Sequence, residues 1–446
     1  MNPIRGQTMG QGQRSARWLA AGTACFFLAG CLSGTGDEES VSRFNLNAGA
    51  RPDQVARQKE SANSPIIAAL QDRRSVLPSS GSFDQVAGAV LGAYSRSAEA
   101  DLLSARLRAE AASKNWLPRI GPNIRLTSLS DIVSQLIVEQ VLFDNGRKKA
   151  ERGFAKADVE VAAVTLADDV NGRVLSGLSL YLDAAEARER VALETRILAD
   201  MSRFEYIMSE RVKGGVSDMS DLNVLGQKLA EIRATLASQT EAETTALAEL
   251  NAMSARPLNG VTGLSEVPVH IDDAEPLDVL KAEAEKERDI AGAVMARAGL
   301  LPGLTAGGTL GDGGSGIGLN LRSEQLLGLG TGAQMRAIEA EKEAASRRVT
   351  QAEEDSNRIL QRLEARLAAL SCQGGEASAL SRAAKANLEL FQEQYDAGQR
   401  QVMDVADVYE TFADRQTRAV SLKYELALAR LEISRDLGLL ADWSRI

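Results

Sequence analysis

Proline is missing from most of this chain. There are 10 prolines in 446 residues, and none lies between Pro122 and Pro257 or beyond Pro302. Tracts of that length without proline, rich in Ala, Leu, Glu and Arg, read as helix. Aromatic residues make up 4 %, which is thin for a large globular core and ordinary for coiled coils and helical barrels. The single histidine, His270, argues against His-based metal or acid–base chemistry and reads as a surface residue in a Pro-containing linker. A formal net charge of -10 argues against a nucleic-acid partner. No nucleophile–base pair, metal-ligand cluster or phosphate loop stands out, so the sequence points to a non-enzyme with no cofactor and no metal.

Three cysteines are present, and the first two fall in an N-terminal leader. Arg5, Arg14 and Arg17 precede an apolar run from Trp18 to Leu28 that is too short to span a bilayer permanently. It ends in Leu28-Ala29-Gly30-Cys31, which resembles a bacterial lipoprotein cleavage site. That resemblance implies a removable leader over 1–30, with Cys31 as the acylated first residue. Leu32, where no Asp stands, fits sorting to an outer membrane. An ordinary signal peptide with an incidental cysteine is the competing reading, and Met9 is a second candidate start. Cys25 would leave with the leader, Cys372 would stand alone, and no internal disulfide is expected. Residues 31–82, with Gly, Ser and Asp, read as a lipid-anchored tether carrying one short helix near Ile66–Arg73.

The remainder reads as a duplication. In the first unit, 83–254, a helical pattern runs from Phe83 to Trp116. A hairpin follows over 118–143, where Ile120, Ile124 and Leu126 alternate with Arg119, Asn123 and Arg125. One apolar and one polar face suit a membrane β-barrel, although a half-buried soluble hairpin has the same pattern. Next come a long helix over 146–211 and a return helix over 218–253. The long helix is about 100 Å at ~1.5 Å per residue, and Val170, Val174, Leu178, Tyr181, Ile197, Met201 and Met208 form a narrow seam on it. After an irregular linker over 255–275, the unit 276–446 repeats the plan: hairpin 301–327, long helix 332–397, return helix 402–437. Pro302 lies 184 residues after Pro118, and Gly398 lies 183 after Gly215, which makes the repeat secure. Gly374-Gly375 inside the second long helix predicts a kink or break there.

Several segments together resemble the TolC family of outer membrane efflux ducts across roughly residues 83–440. They are Trp116-Leu117-Pro118 before a strand, Leu142-Phe143-Asp144-Asn145-Gly146-Arg147 between strand and helix, and two turns. The turns read Arg211-Val212-Lys213-Gly214-Gly215-Val216-Ser217 and Tyr395-Asp396-Ala397-Gly398-Gln399-Arg400. What the resemblance implies is a mostly α chain with a small membrane β-barrel, assembling as a homotrimeric channel tunnel in outer membrane lipid and reaching into the periplasm. A periplasmic adaptor (membrane fusion protein) and an inner membrane pump would be its partners, in tripartite efflux or type I secretion. By the same match Asp404 and Asp407 would form an acidic pore gate. Tyr395 and Arg400 would tether the gate to Asp221, and Gly215, Val216, Ser217, Gly398 and Gln399 would meet the adaptor. Arg125 and Arg322 sit at polar hairpin positions and would line the lumen. Two other readings stay open: Asp404 and Asp407 as solvated acids at a helix start, and the whole chain as a periplasmic coiled-coil scaffold lipoprotein that forms no pore.

Overall fold

The computed structural model describes residues 64–442 apart from 95–96, 129–130, 270–273, 312–313 and 324–327, with the side chains of 125–128 and 131–133 also left aside. Cys31 and His270 lie outside the described residues.

The first described element is helix α1 (Pro65–Asp72). Ser64 caps it, its hydroxyl accepting from the Ile67 amide at 3.2 Å. Ile66, Ile67 and Leu70 are buried, so residues 64–82 are not part of a loose tether. Their apolar content is small but concentrated on one side of one helix, which is enough to seat it. A strap follows. Arg73 donates to the Leu437 carbonyl at 2.8 Å and the Glu275 carbonyl at 2.6 Å. The amides of Ser75 and Val76 donate to the Asp442 carboxylate at 2.7 Å and the Leu439 carbonyl at 2.9 Å. Burial pulls the Arg73 guanidinium down to about 10, with Glu275 acting the other way.

The expected single helix from Phe83 to Trp116 is divided into α2 (Ser82–Gly92) and α3 (Ser97–Ser113). Tyr94 stands at the division. Its hydroxyl donates to the Asp169 carboxylate, 2.9 and 2.8 Å from the two oxygens, and Arg173 lies 5.0 Å from its ring centre. Leaving the helix is what lets Tyr94 reach this pair.

Next in order are β1 (Arg119–Ser128), β2 (Asp131–Phe143), α4 (Arg147–Lys213), α5 (Met219–Ala252), α6 (Leu277–Gly299), β3 (Gly303–Gly311), β4 (Gly316–Arg322), α7 (Thr331–Asp396) and α8 (Val402–Asp436). Helix, hairpin, long helix, tight turn and helix therefore occur twice. The 67 residues of α4 and 66 of α7 make each about 100 Å long.

The seam on α4 is the spine of the core. Val170, Val174, Leu178 and Tyr181 are buried against Phe83, Val86, Val90, Leu431 and Leu440. At Gly177 a Cβ would sit 2.7 Å from Val90 Cγ2, so the crossing of α2 and α4 needs glycine there. Nearer the turns, Ile197, Met201 and Met208 join Leu225, Leu229, Val402, Val405 and Tyr409 in a separate cluster.

Helix α7 runs unbroken through Gly374-Gly375, contrary to the expected break. Two glycines cost about 2 kcal/mol relative to alanine. Leu370 and Ala377 on either side pack with Leu422 and Ala429 of α8, and Ser378 bonds back to the Gly374 carbonyl at 2.8 Å. Nine residues of α7 are buried, compared with twenty-three of α4, so most of α7 is left exposed by its own chain.

Candidate functional site

Two regions carry candidate functional residues: the sheet and the pair of turns. The four strands form one antiparallel sheet in the order β1-β2-β3-β4. Ile120 pairs with Val138, Leu136 with Leu310, and Ala306 and Gly308 with Leu319 and Ile317. Directly paired residues share a face, so Ile120, Leu136, Val138, Leu310, Ile317 and Leu319 form one apolar surface. All are exposed, Ile317 at 95 %. The opposite face carries the pair Arg119–Glu139, the pair Thr305–Asn320, and Arg322 opposite Gly303. It bounds a hollow of about 1050 Å³, which Arg147, Lys148 and Glu151 complete from α4. Arg322 lies on the polar face. The backbone of Arg125 pairs with Val133, and its side chain is not among those described.

The passage from strand to long helix is built by Asp144-Asn145-Gly146. Asn145 and Gly146 take φ of 53° and 86°. The Asp144 carboxylate accepts from the amides of Gly146 and Lys148 at 3.1 and 2.6 Å, which caps α4. Asn145 also donates to the Pro302 carbonyl at 3.0 Å, pinning the first unit to the start of the second hairpin. Trp116 and Phe143 are exposed beside this junction.

At the other end, the turns α4–α5 and α7–α8 are one structure made twice. Gly215 and Gly398 have φ of 73° and 75°. Their amides bond three residues back, to Val212 at 3.0 Å and Tyr395 at 2.9 Å. The next amides, of Val216 and Gln399, bond five back, to Arg211 at 2.9 Å and Gln394 at 2.8 Å. This is a Schellman closure at each tip. Val216 is 69 % exposed and Gln399 is exposed too. Ser217 is half-buried and accepts from the Arg211 guanidinium at 3.1 Å.

The expected gate residues divide. Asp404 is half-buried and caps α8, its carboxylate accepting from the Gln401 amide at 3.1 Å in a reciprocal capping box. Arg400 is held by its own hairpin, donating to Gln394 at 2.9 Å with its guanidinium 4.5 Å from the Phe391 ring centre. Tyr395 packs in the apolar cluster of the tips. Asp221 lies in the first turn of α5. Among the described residues, no hydrogen bond or ion pair joins Asp221 to Arg400 or Tyr395 within the chain. Asp407 is engaged from α5: Lys228 donates to it at 3.2 Å and also bonds Glu410. Partial burial alone would lower the Lys228 ammonium, and its bonds to Glu410 and then Asp407 outweigh that and hold it above its usual range.

Lys228 has no signal in the sequence, because a lysine on an amphipathic helix is normally a solvated charge. The same is true of the links between α4 and α8. Tyr409 donates to Asp200 at 2.6 Å, Tyr424 to Glu189 at 2.8 Å and Lys423 to Glu189 at 2.7 Å. Burial, reinforced by these carboxylates, pushes both tyrosine hydroxyls upward.

No protein-family model matches the chain, and no curated protein matches it. Solved structures do. The outer membrane protein VceC of Vibrio cholerae superimposes with a TM-score of 0.69 at 15 % identity, over 80 % of this chain and 96 % of that one. The open-state outer membrane channel MtrE of Neisseria gonorrhoeae gives 0.67 at 16 %, over 81 % and 90 %. The outer membrane channel CmeC of Campylobacter jejuni gives 0.66 at 13 %, over 80 % and 86 %. At these identities the likeness is one of fold, and this chain has the TolC-like fold of those channels.

Proposed function

We propose that this chain is one third of a passive exit duct in an outer membrane. The sheet carries the reading. Its apolar face is exposed, and its opposite face carries Arg119, Glu139, Asn320 and Arg322. β1 and β4 end the strand order, so each leaves an edge that a second copy can pair. Four strands cannot close a barrel, whereas twelve from three copies can. The thinly buried α7 fits the same assembly, since a neighbouring copy would cover it. In lipid only a closed barrel satisfies every strand's backbone.

On this reading the ~100 Å helices form the periplasmic continuation of the barrel, and the two Schellman tips receive an adaptor that brings an inner membrane pump. The exposed Val216 and Gln399 are the natural contacts. Anchoring through acylated Cys31 belongs to the same proposal, and loss of fatty-acid labelling in Cys31→Ser tests it.

The duct itself is tested by purifying the protein in detergent, cross-linking it, and measuring current across a planar bilayer. A trimer that conducts is expected. A monomer that stays dissolved without detergent once delipidated, and passes no current, would sink the duct in favour of a scaffold.

A further inference from the structure

The carboxylate expected to face the closed pore, Asp407, is not a free charge. Lys228 reaches it from the other hairpin at 3.2 Å and takes Glu410 with the same ammonium. Asp407 and Glu410 are three residues apart on α8, so they share a face one turn apart. The lysine side chain is 19 % exposed, while Asp407 and Glu410 are 63 % and 48 % exposed. The cation is thus packed between the hairpins, and the carboxylates are the wetter partners. An ammonium has three donors, and two are committed to α8. Arg400, the other cation nearby in sequence, is bound to Gln394 and lies against Phe391. Among the described residues, Lys228 is the one side chain bonded to the Asp407 carboxylate, the Thr411 hydroxyl donating to the Asp407 backbone carbonyl instead.

We propose that Lys228 sets both the closure and the ion selectivity of the tip, by fastening α8 to α5 and cancelling one carboxylate charge per chain. This rests on the duct reading and deepens it. Lysine, Asp407 and Glu410 together carry one net negative charge, and two without the lysine. In a trimer that difference is tripled at the narrowest point. A ring of carboxylates draws cations and repels anions, so the lysine makes the closed tip less cation-selective than its acidic residues alone predict. Fastening and selectivity therefore share one atom, and release of the hairpin changes both together.

The experiment is planar-bilayer recording of the full-length protein under a potassium chloride gradient. It compares wild type, Lys228→Gln, Lys228→Arg and the double variant Asp407→Asn/Glu410→Gln. Lys228→Gln should raise conductance and increase the potassium-to-chloride permeability ratio several-fold, and Lys228→Arg should keep the wild-type ratio. The double variant should also raise conductance but move the ratio toward chloride, a reversal of sign that general loosening of the tip does not give. An unchanged ratio in Lys228→Gln, or the same shift in both variants, overturns the proposal while leaving the duct intact. If wild type itself passes no current, the duct reading fails. Hydrogen exchange of residues 395–410 then decides the fastening: faster exchange in Lys228→Gln supports it, and unchanged exchange overturns it. The same exchange measurement serves if Lys228→Gln is poorly inserted.

Discussion

Tyr409 donates its hydroxyl to Asp200 across 2.6 Å, joining α8 to α4 one layer behind the tips. Its ring stands edge-on to Phe204 and Phe412, with centres 6.1 and 6.2 Å away. The residue therefore has two separable contributions, a polar one at its end and an apolar one along its body.

Tyr409→Phe should lower stability by about 1 kcal/mol, since Asp200 is exposed and water replaces the lost bond. Tyr409→Ala should cost about 3–5 kcal/mol, because the cluster is left with a cavity. Urea unfolding of the detergent-solubilised protein measures both. Equal losses would show that the hydroxyl, not the ring, holds this layer.

The turn glycines make a second, sharper contrast. A Cβ at Gly215 or Gly398 meets nothing within 4 Å, so alanine there is opposed by the positive φ alone, at about 1–2 kcal/mol. A Cβ at Gly374 also meets nothing, but that residue is helical, and Gly374→Ala should stabilise by up to about 1 kcal/mol. Thermal unfolding should show opposite signs for the two kinds of site. A loss at Gly374 would mean that α7 needs glycine for a packing reason that a neighbouring copy supplies.

On the sheet, one substitution can be placed on either face. Ile317→Lys puts a charge on the apolar side and should weaken insertion by about 2–4 kcal/mol if the residue sits near mid-membrane. Asn320→Lys puts the same charge on the polar side and should insert like wild type. Flotation with liposomes separates them, and equal insertion of both would remove the assignment of faces to lipid and lumen.

Acid should dissolve one of the α4–α8 links selectively. Burial alone would raise the Glu189 carboxyl, and bonds from Lys423 and Tyr424 outweigh it, holding the group below its usual 4.5. A carboxyl depressed by folding stabilises above its unfolded pKa, and that contribution fades as pH falls through the lower folded value. The gap in stability between wild type and Glu189→Gln should therefore be constant near neutrality and close below 4.5. Glu189 is more than a third exposed, so the gap should stay under about 1 kcal/mol. A gap that persists in strong acid would assign it to packing instead.

Much of the fold was legible because its signals are local. Strict alternation at Ile120, Ile124 and Leu136 marks a strand face, and Gly215 and Gly398 mark turns that require positive φ. The spacing of Val170, Val174 and Leu178 is that of a buried helix stripe. What escaped was set by register between distant elements. Lys228 meets Asp407 only because α5 and α8 are each packed on α4 at one particular offset, which neither helix encodes by itself. The capping role of Asp404 was likewise not read out, since an acid three residues into a helix can cap it and still face outward. The short helix near Ile66–Arg73 was legible, but not its docking, because its seat against Leu440 and Ala441 depends on a distant segment. Gly374-Gly375 misled in the opposite direction: local propensity favoured a break, and packing by Leu370 and Ala377 overrode it.

The strap at Ser75 and Val76 also has a bearing on time. Its partner Asp442 lies 367 residues further along the chain. Closing so long a loop adds little entropy beyond a shorter one, but the contact cannot form before residue 442 has been delivered. Contacts of such separation form slowly. Until then Leu440 and Ala441, which share the cluster with Ile66 and Leu70, are not in place, and α1 has an incomplete seat. The strap therefore waits for the non-helical segment that follows α8, and the Val76 amide should be among the latest to gain protection in pulse-labelled refolding. The earliest described residues are thus the ones that report the docking of the last described ones.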